Sequence, residues 1–126
     1  MSLPPKGAVV PLDEIERICA EYGLEELWTK IASDPPDKPF ASDGCSMWFD
    51  AWDGVDLYPF CFLHDLKYWA GRPGEAAERL VADAELMIAV ARAGEPAMAE
   101  LMFHGVRAGG HPVSRRSFSW GFGRGR

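Results

Sequence analysis

A chain of 126 residues, 48% hydrophobic and 25% charged, suits one globular domain with a modest core and excludes a disordered polymer. No apolar run approaches the roughly 18 residues that a membrane-spanning helix needs, and the start, Met1-Ser2-Leu3-Pro4-Pro5-Lys6, lacks the charged-then-apolar plan of a secretory leader. Net charge is −6, unevenly spread: Arg107, Arg115, Arg116, Arg124 and Arg126 follow residue 104 with no acidic residue among them, so the first 104 residues carry −11. An acidic body argues against nucleic acid as the main partner, whereas the basic end can touch an anionic lipid or protein surface. The compartment stays open: cytoplasm, virion, or secretion by a route not visible in this chain.

In chain order, residues 1–10 read as an irregular lead-in held open by Pro4, Pro5 and Gly7. The spacing of Leu12, Ile15, Cys19 and Tyr22 predicts a helix, with Asp13, Glu14 and Glu16 complementing the partial positive charge at its start. Gly23 breaks it, and Leu24, Leu27, Trp28 and Ile31 continue as a second short helix. Residues 33–58 read as neither helix nor strand: Pro35, Pro36 and Pro39 forbid a continuous helix, and Gly44 and Gly54 punctuate the rest. A long, carboxylate-rich loop of this kind in a small domain usually has a job. Pro59 then opens a helix over Phe60–Trp69 that Gly71 closes. A turn at Pro73-Gly74 leads to a long helix over about 75–93, whose expected buried stripe is Ala76, Leu80, Ala84, Met87 and Val90 or their neighbours. A last helix follows over about 97–107. Residues 110–126 alternate small residues with Phe118, Trp120 and Phe122, as an extended strand or as a tail that orders on binding. The expected organisation is lead-in 1–10, helical domain 11–109 and basic, aromatic tail 110–126, in the all-α class with long loops.

The chemistry concentrates on the helix that begins at Pro59. Cys61, His64 and Tyr68 share one face, and Asp65 lies about 100° away, towards the preceding loop. On the next helix Asp83 falls in line with the apolar stripe, where an unpaired charge is expensive. A short connection predicts antiparallel helices, which brings Asp83 opposite His64 and Tyr68. In that arrangement Asp83 fixes one ring nitrogen of His64 and leaves the other as a general base, with Tyr68 supporting the carboxylate. Asp65, Asp43 and backbone carbonyls near Gly44 are hard oxygen donors suited to calcium.

These residues resemble a known family. Cys61-Phe62-Leu63-His64-Asp65-Leu66-Lys67-Tyr68 is similar to the C-x-x-H-D-x-x-Y active-site helix of phospholipases A2, and Asp83 matches the second active-site aspartate. Asp43-Gly44-Cys45 resembles the abbreviated calcium loop of the bacterial and fungal branch. The resemblance covers roughly residues 40–90. It implies a small helical fold with two antiparallel core helices and a disulfide between Cys45 and Cys61. It also implies a calcium site at Asp43, Gly44 and Asp65, and hydrolysis of a glycerophospholipid ester through His64, Asp83 and Tyr68. The glycine-rich calcium loop of the animal enzymes is absent, and Phe60 stands where those enzymes carry a further cysteine.

Other readings of the same residues compete. An odd count of three cysteines without a leader favours free thiols, and the absence of C-x-x-C spacing argues against structural zinc; Cys19, in the first helix stripe, is expected as a buried free thiol. Asp50, Asp53 and Asp56 do not form an EF-hand, because the twelfth position from Asp50 is Cys61, and they need be no more than a solvated loop surface. An H-D phosphohydrolase needs an earlier histidine, and His64 is the first in the chain. Trp48, Trp52 and Trp69 are core or the lining of an acyl-chain channel. The arginines of the tail are solubilising, or together with the aromatics they touch an interface or a protein partner. The rival to an enzyme is a catalytically silent module that keeps the fold for binding, such as a phage-particle or effector component.

Overall fold

The structure, a computed structural model, describes residues 3–45, 48–114 and 116–125. Arg115 and Arg126, counted above in the basic tail, lie outside the described residues. Five helices dominate: α1 (Leu12–Glu21), α2 (Glu25–Ser33), α3 (Tyr58–Ala70), α4 (Ala76–Arg92) and α5 (Pro96–Gly109). Two minimal antiparallel sheets join them, β1 (Val9–Val10) with β2 (Phe40–Ala41), and β3 (Ala51–Trp52) with β4 (Val55–Asp56). The expectation of neither helix nor strand over 33–58 is therefore corrected. The β3–β4 hairpin turns on Asp53 and Gly54, whose φ angles are 51° and 76°. That is the mirror-image turn an Asp-Gly pair supports between two strands.

Helix α3 is apolar nearly all round, and it is buried accordingly. One side joins Phe62, Leu66, Trp69 and Ala70 to Ile15, Ile18 and Cys19 of α1, Ile31 of α2, and Val10 and Phe40 of the first sheet. The other side meets a second core of Leu57, Cys61, Leu86, Val90, Met98, Ala99 and Met102, built largely on α4 and α5. The lead-in is tied down as well: Val10 is buried, and the Pro4 carbonyl accepts a hydrogen bond from the Tyr58 hydroxyl at 2.6 Å. In α1 the buried face is Ile15, Ile18 and Cys19, while Leu12 and Tyr22 reach solvent. Cys19 is a buried free thiol, and burial, helped by Glu25, pushes its pKa up to about 11.

Two expectations shift in α4 and beyond. The buried stripe of α4 is Arg79, Ala82, Asp83, Leu86 and Val90, so Leu80 and Ala76 face outward instead of inward. Polar residues that find partners across the helix pair take the place of the aliphatic ones. Residues 116–125 are neither strand nor free tail, but turns packed back on the body. The Trp120 indole donates to the Arg72 carbonyl at 2.8 Å, and Arg124 donates to the Ala70 carbonyl at 3.0 Å and pairs with Asp34 at 3.1 Å. Gly71 and Gly123 allow this contact, because a Cβ at Gly71 would strike the Trp120 ring and one at Gly123 the Trp69 ring.

Trp120→Ala is therefore expected to lower stability by about 3–5 kcal/mol, the usual cost of emptying a buried aromatic site. Denaturant unfolding checks this, and an unchanged midpoint would detach the C-terminal segment from the fold.

Candidate functional site

The helix pair brings His64, Tyr68 and Asp83 together. His64 faces Asp83, and Tyr68 faces both Asp83 and Arg79, so rising numbers on α3 meet falling numbers on α4 and the two run antiparallel. His64 Nε2 lies 2.7 Å from Asp83 Oδ1, and the Tyr68 hydroxyl donates to the same oxygen at 2.7 Å. Asp83 has no exposed surface. Burial alone would raise its pKa, but hydrogen bonds from His64, Tyr68 and Arg107 outweigh that and hold the carboxyl below its ordinary value. Burial lowers the His64 pKa despite the bond to Asp83, so the ring is neutral near neutral pH. Burial and Asp83 keep the Tyr68 phenol protonated.

Two arginines complete this network, and the sequence reading missed both. Arg107 Nη1 donates to Asp83 Oδ2 at 2.8 Å. Arg79, buried, donates from Nε to the Tyr68 hydroxyl at 3.1 Å and from Nη2 to the carbonyls of Val106 and Arg107. Arg107 is thus no solubilising tail residue. A signal existed for Arg79, since arginine four residues before aspartate on one helix is a standard pair; nothing in the sequence places Arg107 on Asp83.

Beside His64, Asp65 points to the loop. The Ser42 hydroxyl donates to Asp65 Oδ2 at 2.7 Å and itself accepts the Gly44 amide at 3.0 Å. Burial, together with the nearby charges of Asp43 and Asp50, pushes the Asp65 pKa up to about 7 against these hydrogen bonds. No basic side chain among the described residues pairs with it. Asp43 itself is exposed and hydrogen-bonds Asp65 through its backbone. Asp50, expected as loop surface, organises the loop: it accepts the Cys45 amide at 2.9 Å and pairs with Lys6 at 3.1 Å. Cys45 and Cys61 form a disulfide with Cα atoms 5.2 Å apart, fastening this loop to α3. Among the described residues no three His, Cys, Asp or Glu side chains converge as a ready metal cage. The donors near Asp65 are oxygens, and of the two carboxylates whose charge reaches it, Asp50 is offset by Lys6.

The network opens into a narrow cleft of about 40 Å³, part of it open to solvent. His64, Asp65 and the disulfide line it together with the apolar side chains of Trp48, Leu86, Met102, Val106 and Phe118. Of the three tryptophans considered for a channel, only Trp48 lines it. Trp69 is core, packed on Phe40 and donating to the Lys38 carbonyl, and Trp52 is exposed, stacked on Phe49. Of the tail aromatics, Phe118 reaches the cleft, while Trp120 packs edge-on against Tyr68.

Compared with family models, with curated proteins and with solved structures, the chain matches none of them.

Breaking one side of a buried charge network leaves the other charges unpaired. Asp83→Ala is expected to cost about 3–5 kcal/mol, with Asp83→Asn, which keeps the shape, costing clearly less. Equal losses in urea titrations would show that the carboxylate charge does not hold the helices together.

Proposed function

We propose that this chain hydrolyses the carboxylic ester of a glycerophospholipid, with water activated by His64. The observation that carries the reading is the His64–Asp83 hydrogen bond at the base of an apolar-walled cleft. An ionised Asp83 on Nε2 keeps the ring proton there, which leaves Nδ1 with its lone pair as general base. Tyr68 shares the same carboxylate oxygen and limits its rotation. The walls contributed by Trp48, Met102 and Val106 suit contact with an acyl chain. Asp65, Asp43 and the Gly44 carbonyl would hold calcium, which supplies positive charge for the oxyanion of ester attack. The likeness of Cys61–Tyr68 and Asp43–Cys45 to the phospholipase A2 pattern supports the same reading. No helix among the described residues is long and apolar enough to cross a membrane, so the substrate would be met at a lipid surface.

Fatty-acid release from mixed micelles with calcium tests this directly. His64→Gln is expected to reduce the rate at least about 100-fold, the scale of a lost general base. Equal cleavage by both proteins would remove His64 from the role, and cleavage by neither would favour the silent binding module.

Asp65→Asn tests the cation separately. The substitution is nearly isosteric, so the fold should persist while calcium affinity and the rise in melting temperature that calcium produces both fall away. A wild type that shows no heat of calcium binding would turn the loop into a structural feature only.

A further inference from the structure

Asp83 receives more positive charge than holding a histidine requires. Oδ1 is already shared by His64 and Tyr68, and Oδ2 is taken by Arg107 Nη1 at 2.8 Å. Arg79 Nη2 stands 4.0 Å from the same Oδ2, too far for a hydrogen bond. Its Nε and Nη2 donors are committed to the Tyr68 hydroxyl and to the carbonyls of Val106 and Arg107. Arg79 is thus held between α3 and the last turn of α5, by the nitrogen that is nearest the carboxylate as well as by Nε. Arg107 comes from that same turn, next to Val106 in the cleft wall.

The two oxygens of a carboxylate turn together about the Cβ–Cγ bond. Without Arg107, Oδ2 would be buried with its nearest cation at Arg79, and turning towards it would draw Oδ1 away from His64 and Tyr68. We propose that Arg107 is a positioning residue for the His64 base: its guanidinium holds Asp83 in the rotation that keeps Oδ1 on the imidazole. Arg107 does not line the cleft, so it acts through Asp83 and not on substrate. Because it sits beside Val106, it also links the orientation of the ring to the wall against which an acyl chain would press.

The kinetic consequence rests on the hydrolase reading; the structural one does not. Two variants, Arg107→Gln and Arg107→Lys, are checked for native circular dichroism and then followed in two ways. Proton NMR at neutral pH observes the His64 Nε2 proton, assigned as the downfield signal missing from His64→Gln. Arg107→Gln should shift or broaden it, and Arg107→Lys, which keeps a cation at Oδ2, should retain it. In the micelle assay Arg107→Gln should lose roughly ten-fold or more in kcat, as for a lost charge-assisted hydrogen bond, with KM near the wild-type value; Arg107→Lys should recover most of the rate. A folded Arg107→Gln with an unmoved His64 signal overturns the proposal. So does an Arg107→Lys that loses the signal, and that variant decides the matter if the glutamine protein does not fold. If the wild type cleaves no lipid, the hydrolase reading fails alone, and the NMR comparison still decides the role of Arg107.

Discussion

Asp83 puts a carboxylate with no exposed surface halfway along α4, where desolvation costs several kcal/mol unless donors meet it. They come from two other helices, His64 and Tyr68 on α3 and Arg107 on α5, while Arg79 on α4 itself donates to the Tyr68 hydroxyl and stands 4.0 Å from the carboxylate. Satisfying that one group sets the rotation of α4. It turns Arg79, Ala82 and Asp83 inward with Leu86 and Val90, and leaves Leu80 and Val81 to solvent although they are the more apolar side chains. It also fixes where α5 ends, because Arg79 holds the carbonyls of Val106 and Arg107. The C-terminal segment then closes over the same region, with Trp120 edge-on to Tyr68 and Gly121 donating its amide to the Tyr68 carbonyl.

The loop before α3 is held by other means. Too rich in proline and aspartate to bury much apolar surface, it is fastened by the Cys45–Cys61 disulfide, a crosslink of 16 residues' separation, worth on the order of 3 kcal/mol in the chain-entropy account. Asp50 and Ser42 then set its backbone, the first through the Cys45 amide and the second through the Gly44 amide. Gly44 is required at its turn: its φ is 64°, and a Cβ there would lie 2.8 Å from Asp50 Oδ1. The loop thus brings Asp43 and Gly44 beside Asp65 of α3 without a large core of its own.

How much of this could be read from the residues differs by element. The meeting of Asp83 with His64 and Tyr68 is legible because a charge in an apolar stripe demands a partner and the Pro73-Gly74 turn is short. The cysteine pairing came through the family likeness; the odd count of cysteines by itself pointed to free thiols. The strands escape because each has two residues, too few for alternation to show, although Asp53-Gly54 offered the hairpin signal. The C-terminal segment misleads for a different reason. In Trp120-Gly121-Phe122-Gly123 the small residues look like flexibility, whereas Gly123 admits the chain against Trp69, a contact that depends on tertiary placement. Arg107 has no local signature, since its partner lies 24 positions away on another helix.

Neighbouring residues on α3 therefore sit in opposite fields. His64 faces a carboxylate whose charge is more than matched by Arg79 and Arg107, whereas Asp65, the next residue, faces Asp43 and a Lys6-paired Asp50, with Ser42 and a backbone amide to stabilise it. The helix itself separates the two because consecutive side chains diverge by about 100°. Hydrogen bonds from His64, Tyr68 and Arg107 keep Asp83 ionised, so it can hold the Nε2 proton without drawing it off. Excess negative charge on the other side is unstable by itself and is relieved by a proton or a cation. A divalent ion with oxygen ligands relieves it more fully than a proton, because one ion neutralises two carboxylates where one proton neutralises one. Under the hydrolase reading, this imbalance would place positive charge beside the base and at the mouth of the apolar cleft, where an ester oxyanion would form.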